Sequence, residues 1–157
     1  MGSASDLQIM QETATILEQL GIPFEMTVAS AHRSPKRAAE FASSARARGL
    51  KVIVAGAGHA AHLAGAMAAY TSLPVIGVPI DSSCLQGLDA LLSTVQMPPG
   101  VPVATVSIGK PGARNAGILA AQILALSDSK LANRLEAFKK ELAKDVAQKA
   151  RQLTINK

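Results

Sequence analysis

The run Lys51-Val52-Ile53-Val54-Ala55 is short and β-branched, and it breaks at once into Gly56-Ala57-Gly58-His59-Ala60-Ala61-His62-Leu63-Ala64-Gly65. A short apolar run of this kind reads as a strand of a parallel sheet buried on both faces. A strand that passes through glycines into a helix brings backbone N–H groups against an anion. Both properties constrain the rest of the chain, because a parallel strand needs crossover helices on either side.

The flanking sequence supplies them. Leu7, Met10, Ala14 and Leu17 recur at helical spacing from Asp6 to Leu20, with Ser5 or Asp6 as the expected cap and Gly21 and Pro23 as the stop. Phe24 to Ala29 reads as a short strand, and Pro35 fits the first turn of a helix that runs to Gly49. Beyond the glycine loop a small-residue helix runs to about Tyr70, followed by a strand from Leu73 to Ile80 and a helix from Gln86 to Val95. A further strand from Val101 to Ile108 and an apolar helix from Pro111 to Leu126 complete the alternation. In a last helix after Ser127-Asp128-Ser129, Leu131, Leu135, Phe138, Leu142 and Val146 form a stripe that calls for burial. The pattern predicts an α/β fold in one domain over residues 1–157, with about 128–157 as a C-terminal helical extension.

Ligands of such sheets bind beyond the carboxyl ends of the strands. Ser30 to Pro35, Gly56 to Gly65 and Ile108 to Gly112 all fall at such ends. Ser3-Ala4-Ser5-Asp6 would join them if a strand preceded it, and the sequence before it is too short to form one.

The net charge of +5 suggests nucleic-acid binding until it is located. Residues 130–157 hold eight Lys/Arg against three Asp/Glu, so the last helix carries the whole excess and reads as a solvated face. Aromatics make up 3% of the chain, too few for a base-stacking platform. Cys84 has no partner for a disulfide and reads as a small buried or half-buried residue, in keeping with a reducing cytoplasm. No 18-residue apolar run suggests a membrane span.

The chemistry concentrates in Ser30-Ala31-His32-Arg33-Ser34-Pro35. His32 is either a proton-transfer group or a turn residue bonded to backbone, and Arg33 either a phosphate fork or a surface charge. Ser3 and Ser5 can donate to phosphate and Asp6 can accept from sugar hydroxyls, or they cap the first helix. His59 and His62 stand three apart, but without a third ligand nearby they do not make a metal site. His62 could instead orient a carboxylate or bound carbon dioxide.

These segments resemble the class I N5-carboxyaminoimidazole ribonucleotide mutase (PurE) family. The matching pieces are MGSASD, SAHRSP, AGAGHAAHLAG, LPVIGVP, LQGLDALLSTVQMPPGVPVAT and IGKPGARNAGILAAQIL, which cover nearly the whole chain in order. The resemblance implies a flavodoxin-like three-layer α/β/α sandwich with a parallel sheet, assembled as a homo-octamer, cytoplasmic, with a small ribonucleotide as substrate and no nucleic-acid or membrane partner. It implies an isomerase of purine biosynthesis that moves a carboxylate from a ring substituent nitrogen to carbon 4, with no cofactor and no metal. His32 aligns with the family's acid/base residue. Ser3, Asp6 and Arg33 align with nucleotide-binding residues, Ser5 and Ser30 lie beside them, and Gly56, Gly58 and His62 would wall in the migrating carbon dioxide.

The chain departs from the family pattern at His59, Ala64, Pro111 and Arg114, and the family's first strand, which lies before MGS, is not in this sequence. Two other readings stand beside the mutase: a class II carboxylase of the same fold that uses free carbon dioxide, and a nucleotide-binding homologue with impaired catalysis.

Overall fold

The computed structural model describes residues 1–155. A 3-10 turn, Ala4–Asp6, leads into α1 (Leu7–Gln19), followed by α2 (Pro35–Ala45), β1 (Ile53–Gly58), α3 (Leu63–Ala69) and β2 (Val75–Ile80). Then come α4 (Leu88–Val95), β3 (Ala104–Thr105), α5 (Gly109–Ala125) and α6 (Ser129–Ile155). The three strands form a parallel sheet in the order β1-β2-β3, with Ile53 opposite Val75 and Ile76 opposite Ala104.

Strand alternation sorts the core into two faces. Ile53, Ala55 and Val75 pack with Ala38 and Ala42 of α2 and Leu63 and Met67 of α3. Ile76, Val78 and Ile80 point the other way, onto Met10 and Leu17 of α1 and Ala113, Ala116 and Ala120 of α5. The result is the three-layer, flavodoxin-like sandwich expected from the sequence. All six residues of β2 are buried, as a central strand requires. Full burial of a side chain the size of Ile76 stabilises by about 1.5–3 kcal/mol. The small residues serve close approach: a β-carbon on Gly117 of α5 would lie 3.0 Å from Ile16 of α1.

Several elements differ from expectation for identifiable reasons. Asp6 stands at the N-cap of α1, as expected, but makes no side-chain cap bond there; a 3-10 turn precedes the helix and is capped by Ser3, with Ser5 N donating to Ser3 Oγ (3.4 Å) and Ser3 N to Asp6 Oδ2 (2.9 Å), a capping box. Asp6 is therefore the acidic partner of the box. Residues 24–29 form no strand. Their backbone pairs with that of Met1, its amino group donating to Thr27 O (3.0 Å) and Ala29 N donating to Met1 O (2.9 Å), while Arg37 takes Val28 O from the side (2.8 Å), and one paired residue does not make a ladder. Gly2 N in turn donates to Gly56 O (3.0 Å), so Met1 and Gly2 lie between this segment and β1.

The expected strand over 101–108 shrinks to Ala104–Thr105 at the sheet edge. Of the α6 stripe, Leu131, Leu135 and Phe138 pack against Ile16 and Leu20, whereas Leu142 and Val146 are exposed because α6 has by then run past α1 and α5. Cys84 is exposed rather than buried, on the loop between β2 and α4.

Candidate functional site

A cavity of about 550 Å³ opens at the carboxyl ends of β1 and β2. That volume is in the usual range for small-molecule sites. Three loops meet there: Gly2 to Asp6 at the head of α1, Ser30 to Arg33 before α2, and Ala57 to Leu63 after β1.

The second loop is a self-bonded turn. Ser30 N donates to Ser34 Oγ (2.9 Å), Ser34 N to Ser30 O (3.0 Å) and Arg33 N to Ser30 Oγ (3.1 Å). Pro35 then starts α2, so the turn holds Ala31 to Arg33 out over the cavity. Arg33 is exposed, and its Nη2 donates to Gly2 O (3.4 Å), which ties the turn to the amino terminus and leaves most of the guanidinium fork available for an anion.

His32 and His62 face each other, with Nε2 of the first 2.8 Å from Nδ1 of the second and the rings edge-on at 84°. At that distance one of the two nitrogens donates a hydrogen bond to the other, in the direction the tautomers set. His62 is placed as the N-cap of α3, just past the glycine loop.

Asp6 is the most buried ionisable group at the site, at 5% exposure. Burial pushes its carboxyl up from the usual range, opposed by the Ser3 N–H, the charged amino terminus, Ser5 and Arg33. The Met1 amino group is pulled down by its own burial and partly restored by Asp6. Ser5 Oγ donates to Ser3 Oγ (2.9 Å), so the two hydroxyls act as a pair at the cavity edge.

Of the residues singled out from sequence, Ser3, Ser5, Asp6, Ser30, His32, Arg33, Gly58 and His62 all line this cavity. Gly56 does not. Its β-carbon position faces Met10 of α1, and its carbonyl is used by Gly2 N, so it secures the amino terminus from behind. The Ile108–Gly112 segment is also outside, where Gly109 abuts Asp81.

Two lining residues with polar side chains, Ser82 and His59, were not singled out as binding groups. Ser82 follows the carboxyl end of β2 and presses against Gly58 so closely that a β-carbon there would collide with its hydroxyl. The polar Asp81-Ser82-Ser83 after an apolar strand was the available signal. His59 lines the same cavity with φ at +53°, a left-handed backbone more usual for glycine. Among the described residues no group of three His, Cys, Asp or Glu side chains could hold a metal ion.

Fold and site together define an α/β protein with an anion-ready, nucleotide-sized cavity at a parallel sheet's carboxyl edge and a hydrogen-bonded histidine pair inside it. Comparison makes the class specific: residues 1–145 match the family model for AIR carboxylase, and the chain belongs to that family. The N5-carboxyaminoimidazole ribonucleotide mutase of Bacillus subtilis is 55% identical over 153 residues, covering 98% of this chain and 94% of the relative. The protein of the same name from Thermotoga maritima is 53% identical, covering 98% and 88%. The crystal structure of Treponema denticola PurE superposes with a TM-score of 0.87 at 26% identity, covering 98% of this chain and 94% of that one.

Proposed function

We infer that this chain is an enzyme, an isomerase of purine biosynthesis that converts N5-carboxyaminoimidazole ribonucleotide to 4-carboxy-5-aminoimidazole ribonucleotide. The observation that carries the reading is the 55% identity to a mutase of that name across 98% of the chain.

The residues at the cavity fit named roles. Arg33 takes the substrate phosphate with the Ser3 and Ser5 hydroxyls, Asp6 and Ser30 hold the ribose side, and Gly58 and His62 wall in the carboxylate. His32 donates a proton to the exocyclic nitrogen as its bond to the carboxylate carbon breaks, and the electron pair of that bond stays on nitrogen. Carbon dioxide is released into the cavity. Carbon 4 attacks it, forming the new carbon–carbon bond, and His32 takes back the ring proton, which restores its starting state. Confinement matters because a neutral molecule that drifts away ends the cycle, so tight walls and exclusion of water supply much of the advantage. The 2.8 Å contact with His62 supports His32 in this role, since the hydrogen bond holds the ring in place over the cavity.

The chain works as one α/β unit over 1–157, with about 128–157 as a helical extension, and as a cytoplasmic homo-octamer. Leu85, Leu88, Leu92 and Val95 support assembly: they form an apolar stripe at and beside α4 that is 46–58% exposed, suited to a contact between copies. Neither nucleic acid nor membrane is needed by this chemistry, and the basic excess sits in residues 130–157, far in sequence from the site loops.

The test is to supply purified protein with each substrate in turn. Turnover of the N-carboxylated nucleotide without added bicarbonate is expected. Turnover only of aminoimidazole ribonucleotide with bicarbonate would assign the class II carboxylase reaction instead.

A further inference from the structure

At His59 the loop after β1 turns through the left-handed region, with φ at +53°, and the residue is exposed. Glycine adopts that conformation freely, whereas a side chain there is kept against a steric penalty. No partner within the protein offsets the penalty: among the described residues no hydrogen bond or ion pair engages the His59 imidazole. His59 nonetheless lines the substrate cavity together with His32, Arg33, Gly58 and His62.

The mutase reading, on which this inference rests, puts two anionic groups in that cavity, a phosphate and the migrating carboxylate. Arg33 serves the first. At the second, His62 already turns Nδ1 to His32 Nε2 at 2.8 Å, so only its own Nε2 is left, and in a neutral ring that nitrogen carries an N–H only if Nδ1 is the acceptor. A carboxylate has two oxygens and accepts several hydrogen bonds, so one such donor leaves it under-satisfied. Gly58 has no side chain to offer, and the Ser82 hydroxyl is packed against it. His59 follows Gly58 directly and shares the loop with His62, whose position is fixed by the buried Leu63. Its imidazole brings an N–H to that part of the wall in either tautomer.

We propose that His59 is a substrate-binding residue that sets specificity: its ring N–H donates to the carboxylate of the N-carboxylated nucleotide and of the product, so the site holds carboxylated nucleotides in preference to aminoimidazole ribonucleotide. A donor of this kind accounts for a histidine held where the backbone alone would favour glycine.

The experiment is equilibrium dialysis in bicarbonate-free buffer, measuring Kd of 4-carboxy-5-aminoimidazole ribonucleotide and of aminoimidazole ribonucleotide for the parent, His59→Gly and His59→Ala. Both variants should bind the carboxylated nucleotide about tenfold more weakly, the loss of one hydrogen bond to a charged group, and aminoimidazole ribonucleotide within about twofold of the parent. Two variants are used because glycine frees the loop and alanine does not. Unchanged affinity for the carboxylated nucleotide would overturn the proposal. A loss in one variant alone, or an equal loss for both nucleotides, would also overturn it, by showing an altered loop rather than a missing donor. A parent that binds neither nucleotide would refute the mutase reading itself, and the proposal with it.

Discussion

At the residue scale the account turns on His32 and Asp6. Replacing His32 with Asn keeps a polar side chain of similar reach and removes the titratable ring, so turnover should fall by about 10²–10⁴-fold while the protein stays folded. A change of only a few-fold, measured in the standard assay, would take the acid/base role away from His32. Asp6 makes a prediction about pH. Its carboxyl is raised by burial above 3.8, so the folded state favours the protonated form. The stability this contributes is present in full below the unfolded value and is lost as pH rises through the folded one. The neutral mimic Asp6→Asn has no such titration. Denaturant unfolding of both proteins should therefore show the parent gaining on Asp6→Asn as pH falls toward 4, and a flat difference would contradict the assignment of burial as the cause.

At the element scale the packing of α5 depends on residues without side chains. A β-carbon on Gly112 would run into the Ser107 carbonyl, whose carbon would be 2.6 Å away, and backbone cannot rotate aside. Gly112→Ala should cost about 1–3 kcal/mol or more. Gly100 is the contrast: nothing lies within 4 Å of its β-carbon position, but its φ is +94°. Gly100→Ala is expected to cost about 1 kcal/mol through backbone strain alone. Thermal unfolding of the pair separates the two causes.

The elements also mark what could be read from the chain. α1, α3, α5 and the start of α6 were legible because each carries a helical apolar stripe with a stop or cap beside it. β1 and β2 were legible as β-branched runs, although β1 begins at Ile53 and extends into the glycines through Gly58. The 24–29 segment and the 101–108 run look equally strand-like and are not full strands. Strand formation depends on a partner across the ladder, which no local pattern records. Ser82 was missed for a related reason: a short hydroxyl side chain acts through what is brought near it. The His32–His62 contact spans 30 residues and depended on the crossover geometry.

At the scale of the whole molecule, the exposed stripe on α4 predicts association. Leu92→Glu puts a charge at its centre, and light scattering should report a much smaller species than the parent's assembly. An unchanged mass would place the interface elsewhere. The central claim is that one cavity releases carbon dioxide and recaptures it before it escapes. The most direct measurement supplies substrate labelled with ¹³C in the migrating carboxylate, in buffer holding unlabelled bicarbonate, and reads the label in the product. Retention of most of the label on carbon 4 is the predicted result, and product carrying the buffer's unlabelled carbon would contradict it.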